Sequence, residues 1–148
     1  MIIKQFILAA LSSICFGIFF NSPKSSLKEA AFTGGLSWSV AYITNEYTHN
    51  IILASFIGCV LVGTLSEVFA THKKKPATIY LIASIIPFVP GAGTYYALRF
   101  FLDKDYMLAF EKGVETIGIA MAISFGLIFA SFFSAPIRRM RIGFKKRL

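Results

Sequence analysis

The residues best placed to do chemistry lie in Ser84 to Arg99, SIIPFVPGAGTYYALR. Pro87 and Pro90 each remove a backbone donor and crowd the carbonyl four residues earlier, while Gly91 and Gly93 free the main chain to leave helical geometry. Two readings follow. In one, the prolines bend a helix and Ser84 or Thr94 satisfies the released carbonyls. In the other, Gly91 to Thr94 opens a second half-helix whose unpaired N–H groups and positive dipole end face a ligand, with a carboxylate the natural choice. Thr94 and Tyr95 would then stand in the first turn, where their hydroxyls add contacts; Tyr95 and Tyr96 would otherwise serve as interface anchors.

Glu67 is the other candidate, an acid within an apolar run and hence a possible proton carrier. It also lies close to His72–Lys75, HKKK, so pairing with Lys73 or Lys74 at an interface is the competing account. Arg99 can snorkel or pair with Asp103, and Glu111 with Glu115 forms a solvated rim. Cys15 and Cys59 sit within apolar stretches, and no His or Cys has metal-ligand spacing, so neither a disulfide framework nor a metal or other cofactor is expected. No nucleophile stands with a base, which argues against an enzyme.

The elements that must hold these residues are membrane helices. Of 148 residues, 56% are hydrophobic and 16% aromatic, and the mean hydropathy is +0.69. A soluble domain of this size needs more polar surface than that. The net charge of +8 is gathered in clusters beside apolar runs, which fits anionic lipid headgroups and not nucleic acid. The pattern predicts an all-α, polytopic protein forming a single membrane domain over 1–148. About five spans are expected, near 2–20, 27–44, 51–70, 76–102 and 116–135, followed by a basic tail at 136–148 that meets anionic lipid. The first run has no small-residue cleavage site and reads as a retained span. Gly34, Gly35 and Ser37 give the second span a small-residue face for close packing.

The fourth segment is the interrupted one. Counted from Pro76, the stretch Pro87–Gly93 lies about 16 to 26 Å along, in or just past mid-bilayer. Irregular main chain survives at that depth only where protein or trapped water covers it. With the C-terminus inside, eleven of the fifteen basic residues fall on the cytoplasmic side, which favours an N-out, C-in orientation.

The runs KKKPAT (Lys73 to Thr78) and IIPFVPGAGTY (Ile85 to Tyr95), with GGLSW (Gly34 to Trp38) and GTLSEVFA (Gly63 to Ala70), resemble the threonine/serine exporter family, in particular its small membrane subunit. The resemblance covers nearly the whole chain. It implies a proton-linked exporter of small amino acids or related carboxylates in a bacterial inner membrane, paired with a larger membrane subunit of the same family. Two five-span halves inserted in opposite senses would form an inverted repeat with the substrate site between them. Of the candidate residues, only the Pro87, Pro90, Gly91 and Tyr95 pattern carries over from the family. The reading from another class is an accessory or assembly subunit that stabilises a transporting partner.

Overall fold

The computed structural model describes the main chain of residues 1–145 and the side chains of residues 1–133. The lipid contacts expected of the tail at 136–148 therefore lie outside the described side chains. Six α-helices follow one another: α1 (Ile2–Phe19), α2 (Leu27–Thr48), α3 (Ile51–Lys73), α4 (Thr78–Ile85), α5 (Gly91–Leu102) and α6 (Tyr106–Lys145). No strand occurs among the described residues.

Three helices, α1, α3 and α6 from Tyr106 to Phe133, are long and apolar enough to cross a membrane, and the pair α4–α5, bent by 43°, makes a fourth candidate. The protein is thus a multi-pass membrane protein. With 22 residues, α2 is long enough to cross as well, at about 33 Å. It is less apolar because it carries Lys28, Glu29 and Glu46 and a row of small polar residues. That row is enclosed, since α2 packs against α1, α3 and α4, and Thr33, Ser37 and Ser39 are buried. Lipid does not meet these hydroxyls.

Small residues permit this close assembly, as expected of Gly34 and Gly35. A Cβ at Gly34 would collide with the Ser13 hydroxyl of α1, and one at Gly35 would lie 2.9 Å from the Phe6 ring. Ser13 and Ser39 return their hydroxyls to carbonyls one turn back, at 3.0 and 2.8 Å, so neither leaves an orphaned donor in an apolar interface. Outside this core α6 packs against α3 and α5. Its outer face presents Met107, Phe110, Phe125 and Phe132, as α1 presents Ile3, Leu8 and Phe19. Water is the wrong solvent for such faces.

The last helix begins earlier than the expected span at 116–135. The charges of Asp103–Glu115 make that stretch look like a connection, yet only its first residues form a turn. Asp105 caps the new helix, its carboxylate accepting from the Leu108 amide at 3.2 Å, and Lys112 pairs with Glu115 at 2.7 Å. The charges sit on an outward rim while Met107, Phe110 and Val114 continue the apolar face.

Candidate functional site

The interruption in the fourth segment is real and short. Helix α4 ends at Ile85, Ile86–Phe88 form a 3-10 turn, and Val89 and Pro90 leave helical geometry before α5 starts at Gly91. The expected break over Pro87–Gly93 narrows accordingly, because Gly91 and Gly93 are already in the first turn of α5. Local bonds explain the economy. The Ile86 carbonyl accepts from the Val89 amide at 3.1 Å, and the Pro90 carbonyl accepts from the Thr94 amide at 3.1 Å and from the Thr94 hydroxyl at 3.0 Å.

Phe88 fixes the turn in place. It is buried, stacks edge-on against Trp38 with centroids 5.3 Å apart, and fills the space opposite Gly58, where a Cβ would strike its ring. Trp38 is held in turn by its indole N–H, which donates to the Gln5 side-chain oxygen of α1 at 3.1 Å. One residue from each of α1, α2, α3 and the broken segment thus locks the next.

Above this floor lies a cavity of about 350 Å³, walled by Trp38, Tyr42 and Asn45 of α2, Ser55 of α3, Ile119 of α6, and residues 87–93. Pro87, Pro90, Gly91 and Gly93 therefore share one wall. No side chain caps α5, so the amides of Ala92 and Gly93 keep the unpaired state that the first turn of any helix imposes. Gly93 is required by packing, since a Cβ there would strike the Thr116 hydroxyl of α6, whereas a Cβ at Gly91 would meet nothing within 4 Å. Its φ is not positive either, so neither packing nor backbone geometry calls for glycine at position 91.

Thr94 and Tyr95 occupy the first turn of α5 as expected, but not the cavity wall. The Thr94 hydroxyl is directed back to Pro90, and Tyr95 is 60% exposed, resting edge-on against Tyr96. Glu67 lies twelve residues beyond Ser55 on α3, about 18 Å along the axis, and the structure does not bring it to the break. The hydrogen-bonding groups that the sequence reading passed over are Tyr42, Asn45 and Ser55. With Trp38, the first two recur at i, i+4 and i+7, which puts them on one helix face and was a usable signal.

The wall contains no charged side chain. It offers an apolar lining, a few neutral polar groups and two helix-terminal amides that favour negative charge. That suits a small molecule whose carboxylate meets the amides and whose remaining polar atoms meet Tyr42, Asn45 or Ser55. Tyr42 on this wall is hydrogen-bonded to Glu46 of the same helix.

Comparison with known proteins supplies the family. Residues 5–133 match the family described as Threonine/Serine exporter, ThrE. A relative named "Probable threonine/serine exporter", from Mycobacterium tuberculosis (strain ATCC 25618 / H37Rv), is 25% identical over 131 residues, covering 88% of this chain and 25% of the relative. The chain thus spans about a quarter of the length of that relative. No solved structure matches it. A family match over residues 5–133, most of the chain, identifies this protein as a member of the threonine/serine exporter family.

Proposed function

We propose that this chain is one half of a two-component secondary exporter for threonine, serine or related small carboxylates, coupled to protons. It crosses a bacterial inner membrane five times with its N-terminus outside, and it works with a larger membrane subunit of the same family. The observation that carries the reading is the cavity at the break, with the uncapped amides of α5 on its wall. A dipole end held in a low-dielectric site attracts a carboxylate more strongly than it would in water. The wall also suits a zwitterion, because the Glu46 carboxylate bonded to Tyr42 lies on the side of the ammonium. Substrate binds with its carboxylate at Ala92 and Gly93 and its ammonium toward the oxygens of Tyr42 and Asn45.

The family match over residues 5–133 supports transport as the role of this binding face. The small fraction of the relative that this chain covers supports a partner half, as do the apolar outer faces of α1, α5 and α6. The test is efflux of labelled threonine from loaded cells that express both halves. Gly91→Leu, which adds bulk to the cavity wall where a Cβ meets no neighbour, is expected to suppress efflux at normal protein level. Unchanged efflux would remove the binding role from the break.

A further inference from the structure

We propose that Glu29 is the proton-accepting group of this exporter half, joined to the substrate cavity through water held by a column of buried hydroxyls at the junction of α2, α3 and α4. The proposal rests on the exporter reading and names the group within it that handles the coupling ion.

Four buried side-chain oxygens among the described residues have no hydrogen-bond partner: Glu29 Oε2, Ser37 Oγ, Ser66 Oγ and Tyr80 Oη. All four belong to α2, α3 and α4, which pack against one another. Ser37, Ser66 and Tyr80 are completely buried. Interiors leave few such groups unpaired, and those that persist mark places where water or a moving proton is accommodated.

Side-chain contacts join the three helices at this junction. The Ser84 hydroxyl of α4 reaches the Ala30 carbonyl at 2.9 Å, which seats α4 beside the start of α2. Tyr80 lies one turn before Ser84, and its ring is 6.2 Å from that of Phe69 on α3. Ser66 and Lys73 are seven residues apart and so share a face of α3, with buried Ala70 between them. Lys73 Nζ bonds Glu29 Oε1 at 3.0 Å. Ser37 stands two turns along α2 from Glu29, about 12 Å, and adjoins Trp38 at the floor of the cavity. Unpartnered oxygens thus stand along the packed faces of α2, α3 and α4, none of them bonded to another.

The pair itself is asymmetric. The Lys73 side chain is 52% exposed and that of Glu29 only 14%. When the ammonium swings into water, the carboxylate keeps only a backbone hydrogen bond and the field of Lys75, and in so poorly solvated a place taking up a proton costs less than it did beside Lys73. The step balances simply. A proton carried by water among these hydroxyls forms an O–H bond at Glu29 Oε2, Lys73 keeps its own protons, and the acquired proton leaves to water when the ammonium returns.

The groups around Glu29 are few. From the α3 end come Lys73, His72 and Lys75, whose ammonium is bonded to the Ser25 and Ser26 hydroxyls at 2.6 and 2.9 Å. From α4 comes Tyr80, and from its own helix Lys28. Helix α1 carries its single charged side chain, Lys4, at the opposite end. Glu67 follows Ser66 by one residue and so stands on an adjoining face of α3, off the line of the column.

The test uses both halves in proteoliposomes with a trapped pH dye. Threonine-driven proton movement is compared with exchange of labelled threonine at equal concentrations on the two sides, which needs no net proton transfer. Glu29→Gln is expected to abolish proton movement and retain exchange. Glu29→Asp should restore part of the proton movement, and Tyr80→Phe should slow it with exchange intact. Normal proton movement in Glu29→Gln, or its loss in Glu67→Gln alone, overturns the proposal. Equal loss of both activities in Glu29→Gln also overturns it, because a merely structural ion pair behaves that way. If the unaltered pair moves neither threonine nor protons, the exporter reading falls, and infrared titration decides the acid on its own. A protonated-carboxyl C=O band that titrates, and that Glu29→Gln removes, sustains the assignment; an unchanged band defeats it.

Discussion

Gly91 offers a clean perturbation because the structure gives it no structural reason to be glycine. A Cβ there touches nothing within 4 Å, and the residue does not occupy the left-handed region. Gly91→Ala should therefore fold normally, with any change in helix stability below about 1 kcal/mol. Gly91→Leu should fold as well, but its side chain enters the space from which a carboxylate reaches the amides of Ala92 and Gly93. A hydrogen bond to a charged group contributes about 1.5–3 kcal/mol. Losing the equivalent of one such bond weakens binding by about 10- to 150-fold. The assay is the concentration dependence of labelled threonine efflux from proteoliposomes containing both halves, with thermal unfolding of the same samples as the control for folding. The expected pattern is a large rise in KM for Leu, little change for Ala, and unaltered unfolding midpoints for both. A Leu variant within about threefold of the unaltered protein, a difference under 1 kcal/mol, would refute a carboxylate site at the start of α5.

Other perturbations separate the floor of the cavity from its mouth and test the orientation. Gly58→Leu drives a side chain into Phe88, and overpacking of this kind costs about 1–3 kcal/mol; thermal unfolding in detergent should show the loss. Trp38→Phe and Gln5→Leu each remove the 3.1 Å indole bond, and a double-mutant cycle on stability should return a coupling of about 1 kcal/mol. Tyr47→Cys, at the exposed α2–α3 hairpin, should react with a membrane-impermeant maleimide in intact cells. Lys24→Cys should react only after permeabilisation, and the reverse pattern would invert the proposed orientation.

The sequence made some parts of this molecule easy to see and hid others for physical reasons. Helices α1 and α3 are continuous apolar runs, and nothing else that length can hide its backbone in lipid. The break was equally visible, since two prolines and two glycines in seven residues cannot sustain a regular helix. Its true extent was not, because it depended on local bonds: Ile86 and Pro90 recover donors from Val89 and Thr94, and only two residues leave helical geometry. The start of α6 was masked by Asp103–Glu115, whose charges resemble a loop until Asp105 is seen capping a helix. Glu29 gave no local sign of a buried role, because its neighbours Ser25, Ser26 and Lys28 are loop-like. Lys73 reaches it from forty-four positions away, and no local pattern announces such a pairing.

These features meet in α2. A helix with Thr33, Ser37 and Ser39 on its packed face is poorly suited to lipid and well suited to the centre of a bundle, which is where α1, α3 and α4 enclose it. Its two ends then have different duties. Near one end Glu29 holds Lys73; toward the other, Trp38, Tyr42 and Asn45 wall the cavity. From Glu29 to Asn45 the axis runs about 24 Å without interruption, so the segment moves as a rod. Exchanging Lys73 for a proton at Glu29 alters what holds one end of that rod against α3, and any tilt that follows shifts the cavity wall at the other. Substrate that binds better in one tilt than the other must, by linkage, change the proton affinity of Glu29 by the same factor. Threonine should therefore shift the infrared titration of the Glu29 carboxyl in the intact complex, and Gly91→Leu should abolish that shift while leaving the titration itself in place.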